Sequence, residues 1–211
     1  MTTPTSFASP QPRYVRVLSI AGSDSGGGAG IQADLKTFSA LGCYGMTAIT
    51  AITAQNTLGV TGIHGVPPDM LRAQIDAVAQ DIGVDSVKIG MLASPEVVRV
   101  VAQAIRTHRL PHVVLDPVMV ATSGDRLIAS ETVQVLVNEL FPLAAVVTPN
   151  LDEAALLLGR EIEGIDDLDD AARDLLALGA PAVLLKGGHL KGERVVDLLA
   201  TRSGLRQRLE S

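Results

Sequence analysis

Short apolar runs alternate along this chain with segments whose apolar residues recur every three or four positions. "YVRVLSIAG" reads as a first strand, and residues 28–41 as the helix after it, with Ile31, Leu35, Phe38 and Leu41 on one face. "MTAITAITA" is apolar and rich in β-branched residues, which predicts one buried strand over 45–54, while "VTGIHGV" predicts a short exposed one. Helical patterns follow at 68–80 and 95–106, each with proline in its first turn. Strands recur at "SVKIG", "HVVLD", "AAVVT", "AVLLK" and "RVVDLL", with helices between them at 131–140, 151–158 and 168–178. "GLRQRLES" reads as the beginning of a further strand. Such alternation, without an internal repeat, predicts one α/β domain around a mainly parallel sheet covered on both faces.

Composition narrows the class. The 211 residues suffice for one sizeable core. Hydrophobic residues make up 47% but aromatic ones only 2%, so the core must be aliphatic, which suits buried parallel strands. A net charge of −6 argues against a nucleic-acid partner. The single cysteine, Cys43, excludes an internal disulfide framework and fits a reducing cytoplasm. No apolar run reaches membrane-spanning length, and "MTTPTSFASPQPRY" lacks the apolar centre of a signal peptide, so residues 1–14 are expected to be a disordered tail.

In open α/β sheets ligands collect beyond the carboxyl ends of the strands. Polar or glycine-rich clusters stand at six such ends: "AGSDSGGGAG", "AQNT", "KIGML", "LDPVM", "TPN" and "LKGGH". The first is neither a P-loop, which needs Gly-Lys-Ser/Thr, nor a dinucleotide fingerprint, because the last glycine is missing. Its run Gly26 to Gly30, broken only by Ala29, points to close backbone approach to a ligand. Asp34, one turn into the following helix, is a solvated acid unless its face turns toward the loop. Asp116 ends an apolar strand and either satisfies loop amides or stands near magnesium. Asn150 and Glu153, three apart at a helix start, form either a shared metal face or an N-cap with an acid at the third position. Lys186 ends another buried strand, where its charge calls for an anion, and Gly187 and Gly188 leave room for a phosphate. "EGIDDLDDAARD" reads as an acidic helix start. His108 and His112 have Pro111 between them and are not assigned to a metal, and Cys43 and His64 have no identifiable partner.

A glycine loop, acids for magnesium and a strand-end lysine are parts that phosphoryl transfer requires. The stretches "SIAGSDSGGGAGIQADLKTFSALGCYGMTAITAITAQNT", "VKIGMLAS", "VVLDPVMVATSGDRL", "VVTPNLDEAALLLG" and "AVLLKGGHL" resemble, in order, the hydroxymethylpyrimidine/phosphomethylpyrimidine kinases of thiamine biosynthesis. These belong to the ribokinase-like superfamily, and the likeness runs from about Val15 to Leu199. It implies a ribokinase-like three-layer α/β sandwich over 15–211, ATP and Mg2+ as cofactors, a small-molecule pyrimidine substrate, a cytoplasmic location and a homodimer. It further implies that Ala29, Asp34, Gln55, Met91 and Val118 contact the pyrimidine. Asp116 and Glu153 correspond to magnesium-associated acids, Asn150 opens the Asn-x-x-Glu motif, and Lys186 corresponds to the lysine on ATP phosphates, beside Gly187 and Gly188.

Members of the family continue into a Gly-Thr-Gly-Cys type segment whose helix start forms an anion hole, with a cysteine, or an aspartate in relatives, near the reacting hydroxyl. That segment is not in the 211 residues, so the sequence predicts a C-terminally incomplete kinase domain. Two other readings stay open at this point: a pyridoxine or pyridoxal kinase, and a nonenzymatic pyrimidine-binding remnant.

Overall fold

The computed structural model describes residues 13–119, 128–162, 164–188 and 195–210. Eight strands form one sheet: β1 (Arg16–Ala21), β2 (Tyr44–Ile49), β5 (Ser86–Ile89), β6 (Val113–Leu115), β7 (Val146–Val147), β8 (Ala182–Leu185), β9 (Val196–Thr201) and β10 (Arg206–Glu210). Their order is β10-β9-β8-β7-β6-β5-β1-β2, parallel from β2 to β8 and antiparallel on both sides of β9. Helix α1 (Gly30–Ala40) carries the chain from β1 out to the edge strand β2, whereas α2 (Pro68–Asp81), α3 (Pro95–His108) and α4 (Ser130–Glu139) carry it the other way. Right-handed crossovers therefore put α1 on one face of the sheet and α2 to α4 on the other. Helices α5 (Leu151–Leu158) and α6 (Leu168–Ala177) lie between β7 and β8 in the chain, and α6 packs on β8 and β9.

The strand period of two sorts the residues onto those faces. Leu18 and Ile20 of β1, Val87 and Ile89 of β5, Val113 and Leu115 of β6, and Val183 and Leu185 of β8 join one aliphatic core with Leu71, Ile75, Val98 and Val101. The alternate residues Ser19 and Lys88 face α1 instead, and the same period carries Asp116 and Lys186 to that side just past β6 and β8. The amphipathic helix predicted over 95–106 is α3, and local chemistry fixes both its ends. Ser94 Oγ accepts from Val97 N at 3.3 Å, Pro95 opens the first turn, and Arg106 and His108 complement the dipole of the last.

Two expectations are corrected. The single strand foreseen over 45–54 breaks at Thr50 into β2 and β3 (Ala51–Asn56). The ladder of β2 with β1 runs out at Ala21↔Ile49, and Thr50 anchors the turn through its Oγ1, which donates to the Met91 carbonyl at 3.0 Å. Strand β3 then pairs antiparallel with β4 (Gly59–Gly65) as a separate hairpin, bulged between Ala54 and Gln55. Leu41 does not share the buried face of α1: it is 74% exposed, because the helix ends at Ala40 and the chain turns at Gly42 to enter β2. Among the described residues no helix is long and apolar enough to cross a membrane. The segments 120–127 and 189–194, which carry parts of the "VATSGDRL" and "GGHL" motifs, lie outside the described residues.

Candidate active site

A cavity of about 420 Å³ opens at the carboxyl ends of β1, β5 and β6. The loop after β1 and the start of α1 form one wall, through Gly22, Asp24, Ala29 and Gly30, and the β3–β4 hairpin forms the roof, through Thr53, Gln55, Val60 and Ile63. Met91 and Val118 supply apolar sides, and Asp34, Lys88 and Asp116 bring charge. All five residues expected at the pyrimidine, Ala29, Asp34, Gln55, Met91 and Val118, therefore line one space.

The glycine run lines the cavity through Ala29 and Gly30 and also wraps a carboxylate of its own loop. The Asp24 carboxylate accepts from the backbone N–H groups of Gly26 at 2.7 Å, Gly28 at 2.9 Å and Ala29 at 2.8 Å, so these amides are already engaged. Burial pushes the Asp24 carboxyl up, but the donors of Gly26, Ala29, Gly28 and Gly27 outweigh it and hold it below the ordinary range. Gly30, at φ +54, is needed for close packing, since a Cβ there would collide with the Gly22 carbonyl oxygen. The loop is thus wrapped around an internal carboxylate, and it is its outer wall that faces the cavity.

Asp34 is no solvated surface acid. It accepts from Ser19 Oγ at 2.6 Å and from Lys88 Nζ, which lies 3.0 Å from Oδ1. Gln55 Oε1 accepts from Thr53 Oγ1 at 3.3 Å, which orients the amide at the cavity roof. Spacing did not single out Ser19 and Lys88. Lys88 in "VKIGM" left one signal, a charge in the middle of an apolar strand, comparable to that of Lys186.

The second cluster lies across the ends of β6, β7 and β8. Lys186 Nζ donates to Asp116 Oδ1 at 2.8 Å, and Thr148 Oγ1 approaches the same oxygen at 3.2 Å. Asn150 and Glu153 do form the capping box at the start of α5: Asn150 Oδ1 accepts from Glu153 N, and Glu153 Oε2 accepts from Asn150 N, each at 2.8 Å. The capping does not remove Glu153 from the cluster. The residue is only 2% exposed, and burial raises its pKa against the pull of the Asn150 N–H and Lys186, with Asp116 adding to the rise. Gly187 N donates to Asp197 Oδ1 at 2.9 Å, so that amide is engaged, while Gly188 borders open space. His108 Nε2 sits 2.5 Å from Asp76 Oδ1, a link between α2 and α3 away from the cavity.

The chemistry of Asp116 and Glu153 suits magnesium. The ion takes hard oxygen donors, often one or two carboxylates completed by phosphate and water. No larger cluster of three metal-binding side chains occurs among the described residues.

Comparison with known proteins gives the family and the fold. The family described as phosphomethylpyrimidine kinase matches residues 24–210. The hydroxymethylpyrimidine/phosphomethylpyrimidine kinase of Rhizobium meliloti is 57% identical over 182 residues, covering 86% of this chain and 68% of that protein. The crystal structure of phosphomethylpyrimidine kinase from Clostridium difficile superposes with a TM-score of 0.86 at 45% identity, over 93% of this chain and 84% of that one. An ADP complex of Bacillus subtilis pyridoxal kinase also gives a TM-score of 0.86, at 42% identity, over 94% of this chain and 76% of that one. The ribokinase-like fold expected from the sequence is the fold observed, and the chain belongs to the phosphomethylpyrimidine kinase family.

Proposed function

We propose that this chain, with residues 15–211 acting as one kinase domain, phosphorylates 4-amino-5-hydroxymethyl-2-methylpyrimidine and then its monophosphate, with MgATP as donor, for thiamine diphosphate assembly. The observation that carries the reading is the continuity of the cavity. Its wall runs from Asp34 and Gln55, which suit the polar edge of an aminopyrimidine, past Met91 and Val118, to Asp116, the partner of Lys186.

Each residue then has a definite task. Asp34 accepts from the exocyclic amino group, and Gln55 supplies a donor and an acceptor to the same edge. Ala29, Met91 and Val118 hold the ring faces and exclude water from the hydroxymethyl group. Lys186 turns from Asp116 toward the phosphates and offsets their charge, while Gly187 and Gly188 keep the approach free of side chains. Asp116 and Glu153 would hold magnesium, with Asn150 fixing the Glu153 backbone through the capping box. Magnesium, when bound, neutralises charge that builds on the phosphate oxygens as the phosphoryl group moves.

The family resemblance also leads us to propose a homodimer in the cytoplasm, in keeping with the free thiol Cys43 and with β4, which is exposed along its whole length. Light scattering would read a doubled mass if the assembly is correct.

The test is direct. The purified protein is incubated with MgATP and hydroxymethylpyrimidine, and products are resolved by mass spectrometry. Mono- and then diphosphate are expected. Turnover of pyridoxal with no turnover of hydroxymethylpyrimidine would transfer the assignment to a pyridoxal kinase, and pyrimidine binding without any transfer would leave only a binding protein.

A further inference from the structure

We infer that Lys88 is a positioning residue which, with Ser19, fixes the orientation of the Asp34 carboxylate as an acceptor, so that the pocket prefers a ring edge that donates over one that presents oxygen. The inference rests on the proposed pyrimidine site and deepens it to a rule of specificity.

The geometry begins in the sheet. The parallel register of β1 with β5 sets Ser19 directly beside Lys88, both on the face that α1 covers, and Asp34 reaches down from α1 onto the pair. Lys88 Nζ lies 3.0 Å from Asp34 Oδ1 and 3.1 Å from Oδ2, and Ser19 Oγ donates to Oδ2 at 2.6 Å. Gly90 leaves the space the ammonium needs: a Cβ there would stand 3.2 Å from Lys88 Nζ and 3.0 Å from the Ala21 Cβ.

Fold stability does not explain this arrangement. The pair is largely withdrawn from water, and an ion pair so placed commonly gains nothing over an apolar replacement. Both charged partners also face the cavity, whereas Ser19 is fully buried behind them. The arrangement makes sense for recognition. An ammonium has only donors, and the hydroxyl also points its hydrogen at Asp34, so both neighbours meet the Asp34 carboxylate as an acceptor. The lone pairs left toward the cavity can only accept. The amino group of an aminopyrimidine satisfies them, whereas a ring oxygen in its place faces a carboxylate with no hydrogen between them. Sites whose buried polar groups are left unpaired by the wrong ligand discriminate strongly.

The experiment compares dissociation constants for hydroxymethylpyrimidine and for its 4-oxo counterpart by calorimetry, in the wild type, Lys88→Met, Lys88→Arg and Ser19→Ala. The wild type should prefer the amino ligand, and Lys88→Met should lose about tenfold or more of that preference, a change of ~1.4 kcal/mol. Ser19→Ala should lose less in the same direction, and Lys88→Arg should restore most of it. With Lys88→Met the turnover at saturating hydroxymethylpyrimidine should fall far less than the affinity, as expected for a residue that acts through substrate binding.

A Lys88→Met protein that weakens both ligands equally has lost only structure, and the inference is then overturned. If that variant does not fold, Ser19→Ala decides, and an unchanged amino-to-oxo ratio there is equally fatal. A wild type that binds neither ligand refutes the proposed function and this inference together. A wild type that binds and phosphorylates the amino ligand, with the ratio unmoved in every variant, refutes the role of Lys88 alone.

Discussion

Lys186 Nζ lies 2.8 Å from Asp116 Oδ1, so the cation past β8 and the carboxylate past β6 neutralise each other across the end of β7. The pair bridges the two halves of the cavity machinery. Asp116 reaches the wall of the ring pocket, and Lys186 is the group proposed to meet phosphate. In the proposed function MgATP would redistribute this pair, Asp116 toward the metal and Lys186 toward the phosphates.

Lys186→Met should therefore reduce turnover by about 10²-fold or more, the usual scale for loss of one group that stabilises developing charge. Pyrimidine affinity, measured by calorimetry without nucleotide, should stay within about twofold. Equal losses in both would place Lys186 in the fold rather than in transfer.

Glu153→Gln separates metal binding from stability. The amide oxygen still accepts from Asn150 N, so the capping box survives while the charge is lost. Turnover should fall most at limiting magnesium. Burial raises the Glu153 pKa above its ordinary 4.5, so the native state holds the proton more readily than the unfolded chain. Stability from this group is then present below 4.5 and lost as pH rises through the folded value. The variant lacks that loss, and urea unfolding should show a smaller decline in its stability from acid to neutral pH.

Asp24 gives the opposite sign. Its backbone donors hold the carboxyl below the ordinary 3.8, so its contribution is present above that value and disappears as pH falls through the lower folded one. Asp24→Asn should show a flatter stability profile on acidification and faster amide hydrogen exchange at Gly26, Gly28 and Ala29. Unchanged exchange at those three amides would show that the carboxylate does not hold the loop.

Gly30→Ala should cost about 1–3 kcal/mol by chemical denaturation, because it combines left-handed backbone with a Cβ aimed at the Gly22 carbonyl oxygen. Both glycines line the cavity, so pyrimidine affinity should fall with stability. Gly188→Ala, which borders open space, is the control and should leave stability nearly unchanged.

Much of the site was legible because local rules govern it. Asn150 and Glu153 form a capping box whose signature lies within four residues, and Asp116 and Lys186 announce themselves as charges at the ends of apolar strands. Lys88 carries the same kind of signal, but its partners Ser19 and Asp34 are distant in sequence and meet it only through the β1–β5 register and the docking of α1.

By itself the sequence determined the alternation of strands and helices, the boundaries of helices such as α5, and the family, since these rest on periodicity, caps and ordered motifs carried within short stretches. Only the tertiary structure decided that "MTAITAITA" breaks at Thr50 into a sheet strand and a hairpin, because the break depends on where the ladder with β1 runs out. It alone turned the glycine run around Asp24 and joined Asp34 to Lys88. Each of these outcomes is fixed by which distant atoms remain to satisfy a polar group, and that is settled only when the layers pack.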